Sequence, residues 1–226
     1  GQAQIVDHVV AGRDALVIMP TGGGKSLCFQ IPALVRPGLA VIVSPLIALM
    51  KDQVDTLRAN GVAAACLNSS VPREELLGIY SALRQGELKL LYVAPERLMV
   101  PDFLDQLAEL RLSLFAIDEA HCVSQWGHDF RPEYRALTVL HERYAGVPRI
   151  ALTATADALT RADIVERLQL EGAQHFVSSF DRPNIRYRIE EKKEPLAQLL
   201  RFIEREHPDD AGVVYCQSRK RVEEMS

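Results

Sequence analysis

Seven short runs, at residues 15–19, 40–44, 62–67, 89–93, 113–117, 149–153 and 175–178, are nearly uninterrupted by polar side chains. A strand with one wet face alternates apolar and polar residues. A continuous run is what a parallel strand covered on both faces carries. The stretches between the runs carry helix ends. Ser70 is placed to cap a helix with Pro72 at its start, Glu74 and Glu75 in its first turn, and Gly86 closing it. A second helix spans about 46–60 and stops at Gly61, and a third opens with Pro132 and Glu133 and ends near Tyr144. Parallel strands need crossover connections, and these are right-handed, so the expected fold is α/β with a doubly wound parallel sheet. At 226 residues and 48% hydrophobic composition the chain can bury such a core without disulfides. A disulfide scaffold and a disordered tail are excluded.

Three of the runs end in a proline, at Pro20, Pro45 and Pro95. Proline stops a ladder and aims the following loop, and open α/β sheets bind ligands at the carboxyl ends of their strands. These loops are therefore expected to share one working edge. The net charge of −4 excludes a histone-like polycation but says nothing about a local basic groove. The four cysteines, Cys28, Cys66, Cys122 and Cys216, contain no C-x-x-C pair and suit a reducing cytosol. The first residues lack a signal pattern, and the longest apolar stretch, 39–50, is interrupted by Ser44 and Pro45. It is far short of the roughly 20 residues that cross a bilayer. The expectation is a soluble cytoplasmic protein with no membrane partner.

The texture changes near Ser179, where Phe180-Asp181-Arg182-Pro183-Asn184 precedes a charged run from Glu190 to Glu194. A domain boundary is expected there, giving units 1–179 and 180–226. The second unit should hold a strand at 185–189, a helix at about 195–206, a strand at 212–216 and the start of another helix after Lys220. It reads as incomplete.

Met19-Pro20-Thr21-Gly22-Gly23-Gly24-Lys25-Ser26 follows a buried run and precedes a helical stretch, the context a phosphate-binding loop requires. Gly22, Gly23 and Gly24 let backbone N–H groups curl inward with no Cβ in the way. Lys25 offers a mobile charge to the β/γ-phosphates, Ser26 a hydroxyl to Mg²⁺, and the helix N-terminus a partial positive charge. The strict pattern has Gly where this chain has Met19. About 90 residues later Asp118-Glu119 ends another buried run. There Asp118 can hold Mg²⁺, through water, while Glu119 orients and deprotonates an attacking water. The pairing of loop and carboxylates predicts ATP or a close relative as ligand.

The segment from Cys122 to Pro132 contains the chain's one tryptophan, Trp126, beside Phe130 and Arg131. Aromatics and a cation in a loop suit single-stranded nucleic acid, each base stack contributing roughly 1–3 kcal/mol. The same residues can instead plug the loop onto its own domain, which is the alternative reading. His121, Cys122 and His128 fit no usual zinc-ligand spacing, so zinc is not expected within these residues.

Taken in order, these segments resemble the RecQ family of superfamily 2 DNA helicases over essentially the whole chain. The likeness is carried by the loop at 19–26, Ser44-Pro45-Leu46-Ile47-Ala48-Leu49-Met50-Lys51-Asp52-Gln53 and Ala94-Pro95-Glu96-Arg97. It continues through Asp118-Glu119-Ala120-His121, the aromatic loop at 124–134, Ala151-Leu152-Thr153-Ala154-Thr155-Ala156 and the segment at 179–184. The resemblance implies a RecA-like first lobe, the truncated start of a second RecA-like lobe, and an ATP-driven motor moving 3′ to 5′ on single-stranded DNA and separating partly duplex DNA. By resemblance Gln2 reads adenine, and Ser44, Pro45, Lys51 and Arg97 hold the DNA backbone. Trp126, Phe130 and Arg131 sense DNA, while His121, Gln125, Thr153 and Thr155 couple hydrolysis to movement. Val214-Tyr215-Cys216-Gln217-Ser218-Arg219 resembles the first segment of the second lobe. The arginine finger and the family's zinc-binding module are implied beyond Ser226, so these residues alone are expected to bind Mg·ATP and hydrolyse it slowly. An RNA helicase, a duplex translocase and a nucleotide switch without nucleic acid are the alternatives.

Overall fold

The structure, a computed structural model, describes residues 1–126, 129–178 and 184–223. The expected boundary at Ser179, most of the 179–184 segment, and Gly127 and His128 of the aromatic loop lie outside the described residues. The chain divides into two compact units, Gly1–Phe180 and Asp181–Ser226.

Each of the seven apolar runs forms a strand, displaced by at most two residues: β1 (Ala15–Ile18), β2 (Leu39–Val43), β3 (Ala64–Leu67), β4 (Leu90–Val93), β5 (Leu112–Ile117), β6 (Arg149–Thr153) and β7 (Gln174–Val177). They form one sheet in the order β3-β4-β2-β5-β6-β1-β7, with every pairing parallel. The helices of the first unit are α1 (Gln2–Val10), α2 (Leu27–Val35), α3 (Ile47–Ala59), α4 (Arg73–Gln85), α5 (Pro95–Leu98), α6 (Pro101–Ala108), α7 (Pro132–Arg135), α8 (Val139–Arg143) and α9 (Ala158–Arg167).

The lack of alternation in the runs has its cause in the two faces. Val17, Ile42, Tyr92 and Leu152 pack with Ile5, Phe29, Met50 and Val54 of α1, α2 and α3. Their chain neighbours Ile18, Val41, Val93 and Ala151 pack on the other face with Ile79, Phe103, Leu107 and Ile164 of α4, α6 and α9. Burial of each large aliphatic or aromatic side chain contributes about 1.5–3 kcal/mol, so a polar residue in either alternate set would be excluded.

Helix ends follow the sequence in part. Gly86 closes α4 in the left-handed conformation at φ 69°, and Gly61 follows α3 at φ 75°. Ser70 does not cap α4. Pro72 holds the cap position, and Ser70 instead donates both its N–H and its hydroxyl to Asn68 Oδ1, at 2.9 and 2.6 Å. The helix expected from Pro132 to Tyr144 is broken into α7, a 3₁₀ turn (Ala136–Thr138) and α8. At the break Thr138 Oγ1 bonds the carbonyls of Arg135 and Arg167, at 3.2 and 2.7 Å, and so competes with the helical ladder.

The second unit contains α10 (Pro195–Glu206), where a helix was expected, and α11 (Arg219–Glu223). The expected strands at 185–189 and 212–216 are not formed. A strand exists only through a ladder, and neither segment has one; Tyr187, Ile189, Val213 and Tyr215 are exposed. Among the described residues no helix is long and apolar enough to cross a membrane.

Because every strand runs the same way, all carboxyl ends lie on one edge of the sheet. There β5, β6 and β1 are consecutive, so the loops that follow them are brought side by side.

Candidate functional site

The loop after β1 turns on two glycines that side chains could not replace. Gly22 and Gly24 both have φ 78°, a region that favours glycine. A Cβ on Gly23 would stand 2.9 Å from the Pro20 carbonyl, and one on Gly24 would collide with Gln2. Gln2 reaches this loop from α1 and donates its amide to the Gly23 carbonyl at 2.9 Å. Lys25 lies back across the loop, its Nζ 3.2 Å from the Met19 carbonyl and 3.5 Å from that of Pro20. Ser26 opens α2 and makes no capping hydrogen bond with its side chain. Thr21 is exposed on the rim. The loop is tied to its neighbour by Met19 N–H, which donates to the Thr153 carbonyl at 3.1 Å.

At the end of β5, Asp118 is 6% exposed. Its N–H continues the ladder to the Val43 carbonyl, and its Oδ1 accepts the Glu119 N–H at 3.0 Å. Burial, and secondarily the Glu119 carboxylate, push the Asp118 carboxyl up to about 6, while Lys25 and His121 pull it down. A buried carboxylate held at that cost, with the Lys25 ammonium close enough to lower it, fits a hard cation with oxygen ligands beside a phosphate. The donor chemistry of Ser26, Asp118, Lys25 and the glycine N–H groups is thus compatible with a phosphate ligand and a divalent cation.

Glu119 adopts the left-handed conformation, φ 48° and ψ 45°, a sparsely populated state for a residue with a Cβ. This turn aims its carboxylate sideways along the edge. Glu119 Oε2 lies 3.3 Å from His121 Nδ1, which lies 2.9 Å from Thr153 Oγ1. Thr153 Oγ1 in turn donates to the Thr155 carbonyl at 3.1 Å and accepts the Thr155 N–H at 3.2 Å. A hydroxyl has one proton, and Thr155 takes it. The Nδ1 of His121 must therefore carry a proton to satisfy both Thr153 and Glu119. The Glu119 carboxylate is thereby wired to the end of β6.

The aromatic loop starts three residues beyond His121. Trp126 is 73% exposed, so it does not plug the loop onto its own domain; its N–H donates to Ser124 Oγ at 3.2 Å. Phe130 is half-buried beneath the Arg135 guanidinium, whose carbon stands 5.3 Å from the ring centre. With its amide oxygen facing that guanidinium, Gln125 accepts from both Arg135 terminal nitrogens at 3.2 and 2.8 Å. Arg131 donates to the Pro45 carbonyl and pairs with Asp129, each at 3.2 Å, and so links this loop to the one after β2. Tyr134, fully buried, donates to the Asp118 carbonyl at 2.9 Å.

Sequence reasoning missed Tyr134 and Arg135 as supports. Their signal was faint, an aromatic and a cation at the start of a short helix. Of the residues matched to backbone-holding segments, Lys51 is exposed and Pro45 partly so. Ser44 is buried, with a hydroxyl that has no hydrogen-bond partner among the described residues. Arg97 is half-buried and donates to the Tyr80 hydroxyl at 2.8 Å.

Residues 1–163 match the DEAD/DEAH box helicase family. Over all 226 residues the chain is 50% identical to the ATP-dependent DNA helicases RecQ of Haemophilus influenzae and Pasteurella multocida, covering 36% of each. It is 42% identical to the probable ATP-dependent DNA helicase RecS of Bacillus subtilis, covering 46% of it. The chain thus spans between a third and a half of the length of these relatives. Among solved structures, the DUF1998 helicase MrfA superposes with TM-score 0.70 at 20% identity, over 99% of this chain and 36% of that one. The Hef helicase domain of Pyrococcus furiosus gives 0.60 at 20% identity, over 78% of this chain and 37% of that one. These neighbours identify the sheet as RecA-like, and the chain belongs to the DEAD/DEAH box helicase family.

Proposed function

We propose that the intact protein is a RecQ-type motor of the cytoplasm that uses Mg·ATP hydrolysis to move along single-stranded DNA and open duplexes, in repair or recombination. Lys25 and the glycine N–H groups bind the triphosphate, Gln2 reads the base, and Ser26 and Asp118 face the metal. Bound there, the metal would neutralise charge on the phosphates. Glu119 takes the proton of the attacking water, and Trp126 and Phe130 stack on bases while Arg131 and Lys51 meet phosphate. The observation that carries this reading is the unbroken path from Glu119 through His121 to Thr153 and Thr155, with the exposed aromatic loop opening three residues after His121. Strand binding at the loop can thus alter the carboxylate that activates water. In the intact protein, Trp126→Ala is expected to abolish stimulation of ATP turnover by single-stranded DNA and to leave nucleotide binding and basal turnover in place. Stimulation equal to that of the parent would refute the coupling, and equal stimulation by RNA would refute DNA as the substrate.

A further inference from the structure

Three lone-pair donors converge beside the catalytic turn in a way their sequence spacing did not announce. His121 Nε2 lies 3.9 Å from Cys122 Sγ, and Cys122 Sγ lies 3.8 Å from Asp129 Oδ2. All three donor atoms fall within 4.8 Å of one another. With hydrogen on Nδ1 towards Thr153 and Glu119, a neutral ring turns Nε2, the nitrogen able to ligate, towards the sulfur. The His121 ring is already oriented by a hydroxyl and a carboxylate on its far nitrogen, the support that metal-ligating imidazoles need.

We infer that His121, Cys122 and Asp129 form a binding site for a borderline-soft divalent cation of the Zn²⁺ class. One nitrogen, one sulfur and one oxygen ligand suit tetrahedral zinc, with the fourth position open to water. On binding, the metal–sulfur bond replaces the S–H bond and the thiol proton leaves to solvent. The two spacings to sulfur, 3.9 and 3.8 Å, exceed those of a closed coordination sphere by only a few tenths of an ångström, so closure requires movement mainly of the Asp129 carboxylate. Asp129 gives up its 3.2 Å pairing with Arg131 in the process. The cation ties residue 129 of the aromatic loop to the residue that joins Glu119 to Thr153. It is accordingly an inhibitor rather than a cofactor. That consequence alone rests on the function proposed above, and in the intact protein Zn²⁺ is expected to suppress DNA-stimulated turnover.

The binding claim is tested without any activity, by titrating the 226-residue chain with Co²⁺ and following the thiolate-to-cobalt charge-transfer absorption. We expect one such band, bleached by Zn²⁺, which outcompetes Co²⁺ at a shared site. The band should persist in Cys66→Ser/Cys216→Ser, vanish in Cys122→Ser, and need at least roughly tenfold more cobalt in Asp129→Asn. Asp129 is partly exposed, so Asp129→Asn serves even if Cys122→Ser fails to fold. Absence of a band in the parent, a band surviving in Cys122→Ser, or unchanged cobalt affinity in Asp129→Asn would overturn the assignment.

Discussion

Asp118 works against the stability of the fold that holds it. Its carboxyl is raised from 3.8 to about 6, chiefly by burial, so ionisation is harder in the folded protein than in the unfolded chain. The sign follows from linkage. The favourable contribution of the protonated group is fully present below pH 3.8 and is lost as pH rises to about 6. Above that the native state bears the whole cost, on the order of 2–3 kcal/mol at about 1.4 kcal/mol per pH unit. Asp118→Asn keeps an acceptor for the Glu119 N–H and removes the charge. It is expected to raise the thermal midpoint in metal-free buffer above about pH 7, with the gain disappearing near pH 4, while ATP turnover is lost. A midpoint unchanged at neutral pH would mean the carboxylate is not strained. Arg135 holds a different balance. It pins Gln125 and covers Phe130, yet its Nε is buried with no hydrogen-bond partner among the described residues, so this resting arrangement is incompletely satisfied by them. Arg135→Ala should free the loop and change the DNA concentration for half-maximal ATPase stimulation several-fold, with basal turnover unchanged. Arg135→Lys, which keeps the charge but not the planar fork, should not restore it.

The strands were legible because their signal comes from two faces at once. Both alternate sets, such as Val17 with Ile42 and Leu16 with Val41, are buried, so no register error was open to the sequence. The phosphate loop was legible because its glycines are demanded by backbone geometry. The helix break at Thr138 and the turn at Ser70 were not, since each depends on a side chain finding a nearer partner than the helix backbone. Nor was the Arg135 cradle, because the amide it holds and the ring it covers are ten and five residues away along the chain. The two kinds of glycine give a contrast at this scale. Gly86 has nothing within 4 Å of the place a Cβ would occupy, so Gly86→Ala adds only left-handed strain, about 1–2 kcal/mol in denaturant unfolding, and leaves nucleotide affinity intact. Gly24→Ala adds a collision with Gln2 and is expected to weaken nucleotide binding by at least roughly tenfold, as read by fluorescent-nucleotide titration. Equal effects of the two on binding would remove the Gln2 link from the site.

On the scale of the whole first unit, chemistry and stability are sorted to opposite edges of the sheet. At the carboxyl edge sit the buried Asp118, the left-handed Glu119 and the hydroxyl of Ser44, which has no hydrogen-bond partner among the described residues. At the amino edge Arg149, 7% exposed at its side chain, is fully engaged. It meets Asp14 at 2.6 Å, the Leu168 carbonyl at 2.6 Å and the Gln169 carbonyl at 3.0 Å, while Asp14 also accepts the Arg149 N–H at 2.7 Å. These bonds clamp the starts of β1 and β6 to the connection between α9 and β7, so the sheet is fixed where no substrate has to pass. Asp14→Ala would strand a buried guanidinium and should cost about 3 kcal/mol, or roughly ten degrees in thermal midpoint. Nucleotide affinity measured well below that midpoint should not change. A strand's length separates Asp14 from Asp118, more than about 10 Å, with no shared partner, so their effects should add. Asp14→Ala/Asp118→Asn is therefore expected to recover most of the stability lost in Asp14→Ala at neutral pH, without recovering activity. A marked departure from additivity would mean that the two edges are mechanically coupled through β6, and that the clamp takes part in positioning Thr153.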